Sequence, residues 1–224
     1  MGKLSWDGVG ERIYETGVDH GVLYVMDELG YGRGVPWNGL TSVTESPSGA
    51  ESNKQYADNV VYLNLVSAEE FGGTIEAFTC PPEFSACDGL AAPSDGLTVG
   101  QQTRSTFGLS YRTKIGNDLA GQDAGYKLHL VYGLLASPSE KAYQTVNDSP
   151  EAMTLSWEVT STPVQVNDAL KPTSIITVDS TKVDAADLAA LEKLLYGAPA
   201  GNGGIPAETF AKLPLPAEVL AIFA

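Results

Sequence analysis

The side chains best suited to chemistry in this sequence are two histidines and two cysteines. His129 lies within a predicted strand, and His20 directly follows Asp19, so in an extended segment their side chains point apart and form no catalytic triad. Cys80 and Cys87 have six residues between them, wider than a zinc half-site, and the chain has no second pair. We therefore expect structural histidines and structural thiols; the spacing leaves a disulfide between the cysteines open.

Sequence motifs of the common enzyme classes are missing. The chain contains neither a Gly-X-Ser-X-Gly nucleophile elbow nor a Walker A motif. Among 28 acidic residues, neighbours such as Asp118 and Asp123 arise by chance, and no EF-hand pattern surrounds them. We therefore predict a protein that is not an enzyme, with no catalytic residue, no cofactor and no metal ion.

The charge balance excludes several classes of partner. The chain has 13 basic and 28 acidic residues, a net charge of −15. Such a surface does not grip a nucleic-acid backbone or an anionic membrane, and it repels a DNA duplex beside it. The sequence opens without the apolar core of a signal peptide and contains no run of about 20 apolar residues. We therefore expect a protein made in a cytoplasm and not inserted in a membrane.

Alternating apolar and polar residues predict a mainly β protein. The clearest alternation covers residues 107–113 and 126–134, and the polar connector 116–125 predicts an antiparallel hairpin with a long tip. A third strand is predicted at residues 155–160, with Trp157 in the core. Shorter strands are predicted at residues 22–26, 60–66, 74–79 and 174–178. Within 60–66, Val61, Leu63 and Leu65 fall on one face of the strand, and Tyr62 and Asn64 fall on the other.

The C-terminal part predicts helices. Asp184 is a candidate N-cap, and Gly197 ends the helix. Three leucines at helical spacing form its apolar face: Leu188, Leu191 and Leu195. A glycine-rich link at 201–204 precedes a second short helix that starts after Pro216.

These elements predict an α+β, mainly β protein. We expect a β-sandwich or partial barrel of antiparallel strands with a flanking helix and long loops. A β domain over residues 1–180 would include an N-terminal arm at 1–20 and a loop at 31–55. Residues 181–224 would form a helical extension, either packed on the same domain or decorating its exterior.

Short motifs occur in a fixed order along residues 1–180. In chain order they include Gly2-Lys3-Leu4-Ser5-Trp6-Asp7, Tyr56-Ala57-Asp58-Asn59, Glu69-Glu70-Phe71-Gly72-Gly73, Phe107-Gly108-Leu109-Ser110-Tyr111, Tyr126-Lys127-Leu128-His129-Leu130 and Leu155-Ser156-Trp157-Glu158-Val159. This ordered set resembles the major tail proteins, or tail-tube proteins, of long non-contractile-tailed bacteriophages (siphophages).

The resemblance implies a tail-tube-type structural subunit. Six copies would form a ring, and stacked rings would form a hollow conduit that delivers the genome to the host. Double-stranded DNA would pass without specific binding, and the tape measure, tail terminator and distal tail proteins would be partners. The protein would lie in the virion tail after assembly in the host cytoplasm. Candidate contacts between subunits are Trp6, Tyr14, Tyr31, Trp37, Asn117 and Asp118.

Two alternatives stay open. Three tryptophans and many tyrosines and glycines also suit a carbohydrate-binding β-sandwich module. A tube protein of a contractile tail or of a type VI secretion apparatus would share the fold and the ring symmetry. Trp6 and Trp37 lie in glycine-rich segments, where local packing is as good an explanation as an interface.

Overall fold

The computed structural model describes Leu4 and residues 6–146, 148–149, 151–199 and 209–224. The glycine-rich link predicted at 201–204 lies outside them. Of the described residues, 46% are strand and 11% are helix, which confirms the mainly β, α+β prediction. The strands are β1 (Tyr14–Asp27), β2 (Gly30–Tyr31), β3 (Val35–Pro36), β4 (Leu40–Glu45), β5 (Ser48–Gly49), β6 (Ser52–Ala57), β7 (Val60–Val66), β8 (Glu69–Glu70), β9 (Gly72–Ala77), β10 (Ala91–Ser94), β11 (Leu97–Val99), β12 (Phe107–Asn117), β13 (Gly121–Ala136), β14 (Leu155–Ser161) and β15 (Ile175–Asp179). The α-helices are α1 (Ala185–Tyr196) and α2 (Pro216–Ile222), and a 3₁₀ helix covers Pro82–Ala86.

The main strands form two layers joined through β13. In the first layer the order is β1-β12-β13-β15, and in the second it is β14-β9-β4. Residues 127–131 of β13 pair with β15, whereas residues 134–136 pair with β14. Gly133, between these two stretches, has a φ of 60°, and this left-handed residue lets β13 leave one layer and enter the other. The sandwich is antiparallel and does not close into a barrel.

Aromatic side chains fill the core between the two layers. Trp157 and Phe84 are fully buried, and their ring centroids lie 5.0 Å apart in an edge-to-face arrangement. Trp37 packs on the same Phe84 ring at 4.6 Å. The predicted burial of Trp157 is therefore confirmed, and the 3₁₀ helix at Pro82–Ala86 brings the Phe84 ring inward.

The two α-helices cover the other face of the first layer. Asp184 caps α1 as predicted, because its carboxylate accepts a hydrogen bond of 2.8 Å from the Ala186 N–H. The apolar face of α1 packs on β1, β13 and β15. The Tyr24 hydroxyl on β1 donates a 2.8 Å hydrogen bond to the Leu195 carbonyl. The C-terminal helices therefore share a core with the sheet.

Three sequence-based boundaries are wrong. The arm predicted at residues 1–20 is shorter, because β1 begins at Tyr14 and pairs with β12 through bulges near Gly17 and His20, both left-handed. The loop predicted at residues 31–55 contains β3, β4, β5 and most of β6. The hairpin tip is only residues 118–120, since β12 and β13 extend into the predicted connector.

Candidate assembly surfaces

The first layer has two open edges. Residues 14–20 of β1 pair with β12 alone, and β15 pairs with β13 alone in the described part of the chain. Each edge therefore presents unpaired backbone N–H and C=O groups. Because every neighbouring pair in this layer is antiparallel, β1 of a second copy placed beside β15 would continue the alternation.

Residues 46–70 form a hairpin that projects from the second layer between the end of β4 and the start of β9. We call it the projecting hairpin. Within it β5 pairs with β8 and β6 pairs with β7, and every residue is exposed. Its turn is Asp58-Asn59, with φ angles of 51° and 64°. Left-handed angles at both central residues are typical of the tight turn that joins two twisted strands.

The projecting hairpin exposes large apolar side chains on both faces. One face carries Tyr56, Val61, Leu63 and Leu65, which are 69%, 49%, 48% and 54% exposed. The other carries Val60, Tyr62 and Val66. The strand predicted at 60–66 is confirmed, and both of its faces are exposed. A two-stranded hairpin is marginally stable alone, and clustered exposed apolar surface indicates an interaction site.

A polar cluster lies at the root of the projecting hairpin. The Tyr111 hydroxyl donates a 2.5 Å hydrogen bond to the Glu45 carboxylate, and the Tyr111 ring stacks flat on the His129 imidazole at 4.6 Å. The imidazole Nδ1 lies 3.4 Å from the Glu45 Oε1. Contacts with His129 and Tyr111 hold the pKa of the Glu45 carboxyl below its usual value, against the opposing effect of burial. We call Glu45, Tyr111 and His129 the root cluster.

Around His129, the Thr113 hydroxyl, the imidazole and the Glu45 carboxylate follow one another in the order of a hydrolytic triad. The His129 Nε2 lies 3.0 Å from the Thr113 hydroxyl, and Nδ1 faces Glu45 and the Thr177 hydroxyl. However, the Tyr111 ring covers one face of the imidazole, and both ring nitrogens already face protein side chains. This arrangement holds β4, β12, β13 and β15 together rather than presenting a base to a substrate.

An ion pair connects the open edge of β1 to the neighbouring strand β12 in the layer that α1 covers. The Arg112 guanidinium donates two hydrogen bonds to the Asp19 carboxylate, at 2.7 and 3.0 Å, and lies 4.9 Å from the Tyr126 ring centroid. The left-handed His20 places its Nδ1 2.9 Å from Asp19, so the expectation that these side chains point apart is wrong. The hydrogen bond from Arg112 is the main reason that the pKa of Asp19 is lowered.

We predict that Asp19→Asn lowers the free energy of unfolding by about 1 kcal/mol at pH 7, since one partner of a partly buried bidentate pair is lost. A lowered folded pKa contributes stability above the ordinary value of 3.8 and loses it as the pH falls through the folded value. The difference between the wild type and the variant should therefore shrink between pH 5 and about pH 2 in urea titrations. Asp168→Asn, at an exposed position, is the control. A difference that stays constant with pH would contradict the assignment.

Three of the predicted contact residues, Tyr14, Asn117 and Asp118, lie where the N-terminal segment meets the β12–β13 turn, and Trp6 lies earlier in that segment. Trp6 and Tyr14 are exposed, as a contact role requires. The Asp118 carboxylate accepts a 2.9 Å hydrogen bond from the Gly10 N–H and ties the N-terminal segment to the turn. Asn117 holds the turn itself, because its side-chain oxygen accepts hydrogen bonds from two backbone N–H groups.

The other two predicted contact residues point inward. Trp37 is 3% exposed, and its Nε1 donates a 2.9 Å hydrogen bond to the Thr79 carbonyl. It is a core residue and is not available to a second subunit in this structure. The Tyr31 hydroxyl accepts a 2.8 Å hydrogen bond from the Gly133 N–H and supports the bend of β13.

Sequence reasoning missed the projecting hairpin because it assigned most of its first strand to a loop. A usable pattern was present in the Asp58-Asn59 pair, with Tyr56 before it and Val60 and Val61 after it. The alternation within β7 indicated a strand but did not show that both of its faces are exposed.

Sequence comparisons assign no family to this chain. It matches no protein-family model, and no curated protein resembles it at a significant level. Within the described residues, no helix has the length and apolar character needed to cross a membrane. The function is therefore inferred from the sequence motifs, the architecture and the exposed surfaces.

Proposed function

We propose that the protein is a structural, non-enzymatic subunit of the tail tube of a long non-contractile-tailed bacteriophage. Its copies would form hexameric rings that stack into a conduit for genome delivery. The observation that carries the proposal is one antiparallel layer with open edges at residues 14–20 of β1 and at β15, together with an exposed apolar hairpin that leaves the second layer. The order of sequence motifs described above supports the specific choice of a tail tube.

The two open edges suit the growth of a ring. The β1 edge and the β15 edge differ, so a contact between them is heterologous and closes only if its rotation divides a full turn. Pairing these edges would satisfy the exposed backbone groups of both strands. Helices α1 and α2 cover one face of this layer and the second layer covers the other, so the edges are the natural route of extension.

The projecting hairpin begins beside the β15 edge. Its root residue Glu45 contacts His129, whose imidazole in turn lies next to Thr177 on β15. The open edge and the root of the projecting hairpin therefore occupy neighbouring parts of the surface. Because the hairpin starts next to an open edge, a second copy of this chain is the partner that we expect to cover both.

The acidity of the chain agrees with a conduit for DNA. A net charge of −15 on each subunit repels the phosphate backbone, so a duplex would slide without being held. The tape measure, tail terminator and distal tail proteins enter the proposal as partners through the sequence resemblance. The location in the virion tail and the assembly in the host cytoplasm enter it in the same way.

Negative-stain electron microscopy of the purified protein, fresh and after concentration, tests the proposal. We expect six-fold rings or hollow tubes whose abundance rises with protein concentration. Sedimentation velocity on the same samples measures the assembled fraction. A carbohydrate-binding module would stay monomeric at every concentration, and a strict monomer at high concentration would contradict the tube proposal.

A further inference from the structure

The projecting hairpin has few connections to the body. The last pair of the β4–β9 ladder is Glu45 with Gly73, and the Ser46 N–H then donates a 2.7 Å hydrogen bond to the Gly72 carbonyl. All residues from 46 to 70 are exposed. Glu45 is therefore the last residue of the outgoing strand whose side chain reaches the body.

The hairpin has a fixed bend close to its root. Gly49 and Ala50 are both left-handed, with φ angles of 83° and 51°. A Cβ at Gly49 would lie 2.3 Å from the Ala68 carbonyl oxygen on the returning strand, so the two strands are in close contact there. Because this bend has a defined shape, the direction of the tip depends on how the root is held.

The returning strand is held separately. The Phe71 carbonyl accepts hydrogen bonds of 3.1 Å from both the N–H and the hydroxyl of Ser161, and the Phe71 side chain packs against the main core. The backbone hydrogen bonds at the root join the outgoing strand to β9, so they hold the two strands together but leave the ribbon able to twist about β9. The side-chain contacts of Glu45 join the outgoing strand to β12 and β13 and restrain this twist.

We propose that Glu45 is a positioning residue. Its contacts with Tyr111 and His129 set the direction in which the projecting hairpin leaves the body, and this direction is required for one subunit to engage the next. The first half of the proposal concerns the isolated subunit. The second half rests on the proposed function.

A second tyrosine–glutamate hydrogen bond, away from the root cluster, offers a matched control for Glu45. Tyr126 donates a 2.6 Å hydrogen bond to Glu192 on α1, as Tyr111 does to Glu45. Glu192→Ala therefore removes the same chemical contact and the same charge on the helix-covered face of the layer. It leaves the root cluster intact.

Distances between two spin labels test the first half in dilute, monomeric protein. Labels would be placed on introduced cysteines at Asn59, in the turn, and Asp168, on the body; both positions are exposed. Burial raises the pKa of the Cys87 thiol to about 12 and also raises that of Cys80, so labelling at pH 7 favours the introduced thiols. We expect Glu45→Ala and Tyr111→Phe to broaden the distance distribution and Glu192→Ala to leave it unchanged. An unchanged distribution in Glu45→Ala would overturn the positioning role.

Sedimentation velocity tests the second half with unlabelled variants. We expect Glu45→Ala to raise the concentration needed for assembly about tenfold, because an arm that must be ordered during association weakens binding. Thermal unfolding of Glu45→Ala and Glu192→Ala would show whether both subunits remain folded. A broadened distribution with wild-type assembly would overturn the link to assembly. If the wild type never assembles, the proposed function and this link both fail, while the distance measurement still decides the positioning role.

Discussion

Charged side chains on the apolar face of the projecting hairpin should abolish self-assembly and leave the subunit folded. In the double variant Leu63→Lys and Leu65→Glu the net charge is unchanged, and both positions are about half exposed, so the subunit loses no core. Each buried leucine contributes about 1–2 kcal/mol to an interface, and unpaired charges there add a desolvation penalty. We expect association at least about a hundredfold weaker, measured by sedimentation velocity and electron microscopy.

The hairpin formed by β10 and β11, which is also exposed, supplies the control. Leu97 and Val99 on β11 are also about half exposed, so Leu97→Lys and Val99→Glu introduce the same charges at an equally accessible site. This variant should assemble as the wild type does, and both variants should keep the wild-type melting temperature. Equal loss of assembly in the two variants would show a general charge effect and would contradict a specific role of residues 46–70.

Local rules predicted the regular elements well. The N-cap at Asp184, the short helix next to Pro216 and the burial of Trp157 each follow from short-range geometry or from two-residue alternation, and the structure confirms all three, with α2 beginning at Pro216 itself. The mainly β class with a flanking helix follows from adding such elements. These features depend on few residues, so a single sequence contains enough information to predict them.

Tertiary features of the fold and of the candidate surfaces were not predictable in this way. Alternation in β7 is the same whether its apolar face meets a core or solvent, because the period of a strand does not encode what lies above it. Trp37 lies among glycines, and only the packing of Phe84 and Trp157 around it shows that it is buried. The root cluster joins Glu45 to residues more than 60 positions away, which no local pattern connects.

The bend of β13 at Gly133 is the least tolerant backbone feature that unites the two layers. Gly133 is left-handed, and a Cβ there would lie 2.3 Å from the Thr162 carbonyl oxygen. Its N–H donates to the Tyr31 hydroxyl, and its carbonyl accepts a 2.9 Å hydrogen bond from the Thr162 N–H. An added methyl group therefore meets backbone on a strand that both layers depend on, and no side-chain rotation relieves the contact.

We expect Gly133→Ala to lower the free energy of unfolding by roughly 3–5 kcal/mol, measured by urea denaturation. Gly121→Ala is the matched control, because Gly121 is also left-handed, with a φ of 62°, but has no atom within 4 Å of the added Cβ. The control should therefore show only the conformational term, about 1–2 kcal/mol. Equal losses would mean that the left-handed angle alone sets the cost and that β13 can shift away from Thr162. A much larger loss at Gly133 would show that the passage of β13 from one layer to the other holds the sandwich together. The same passage then also fixes the position of the open edge of β15 relative to the projecting hairpin.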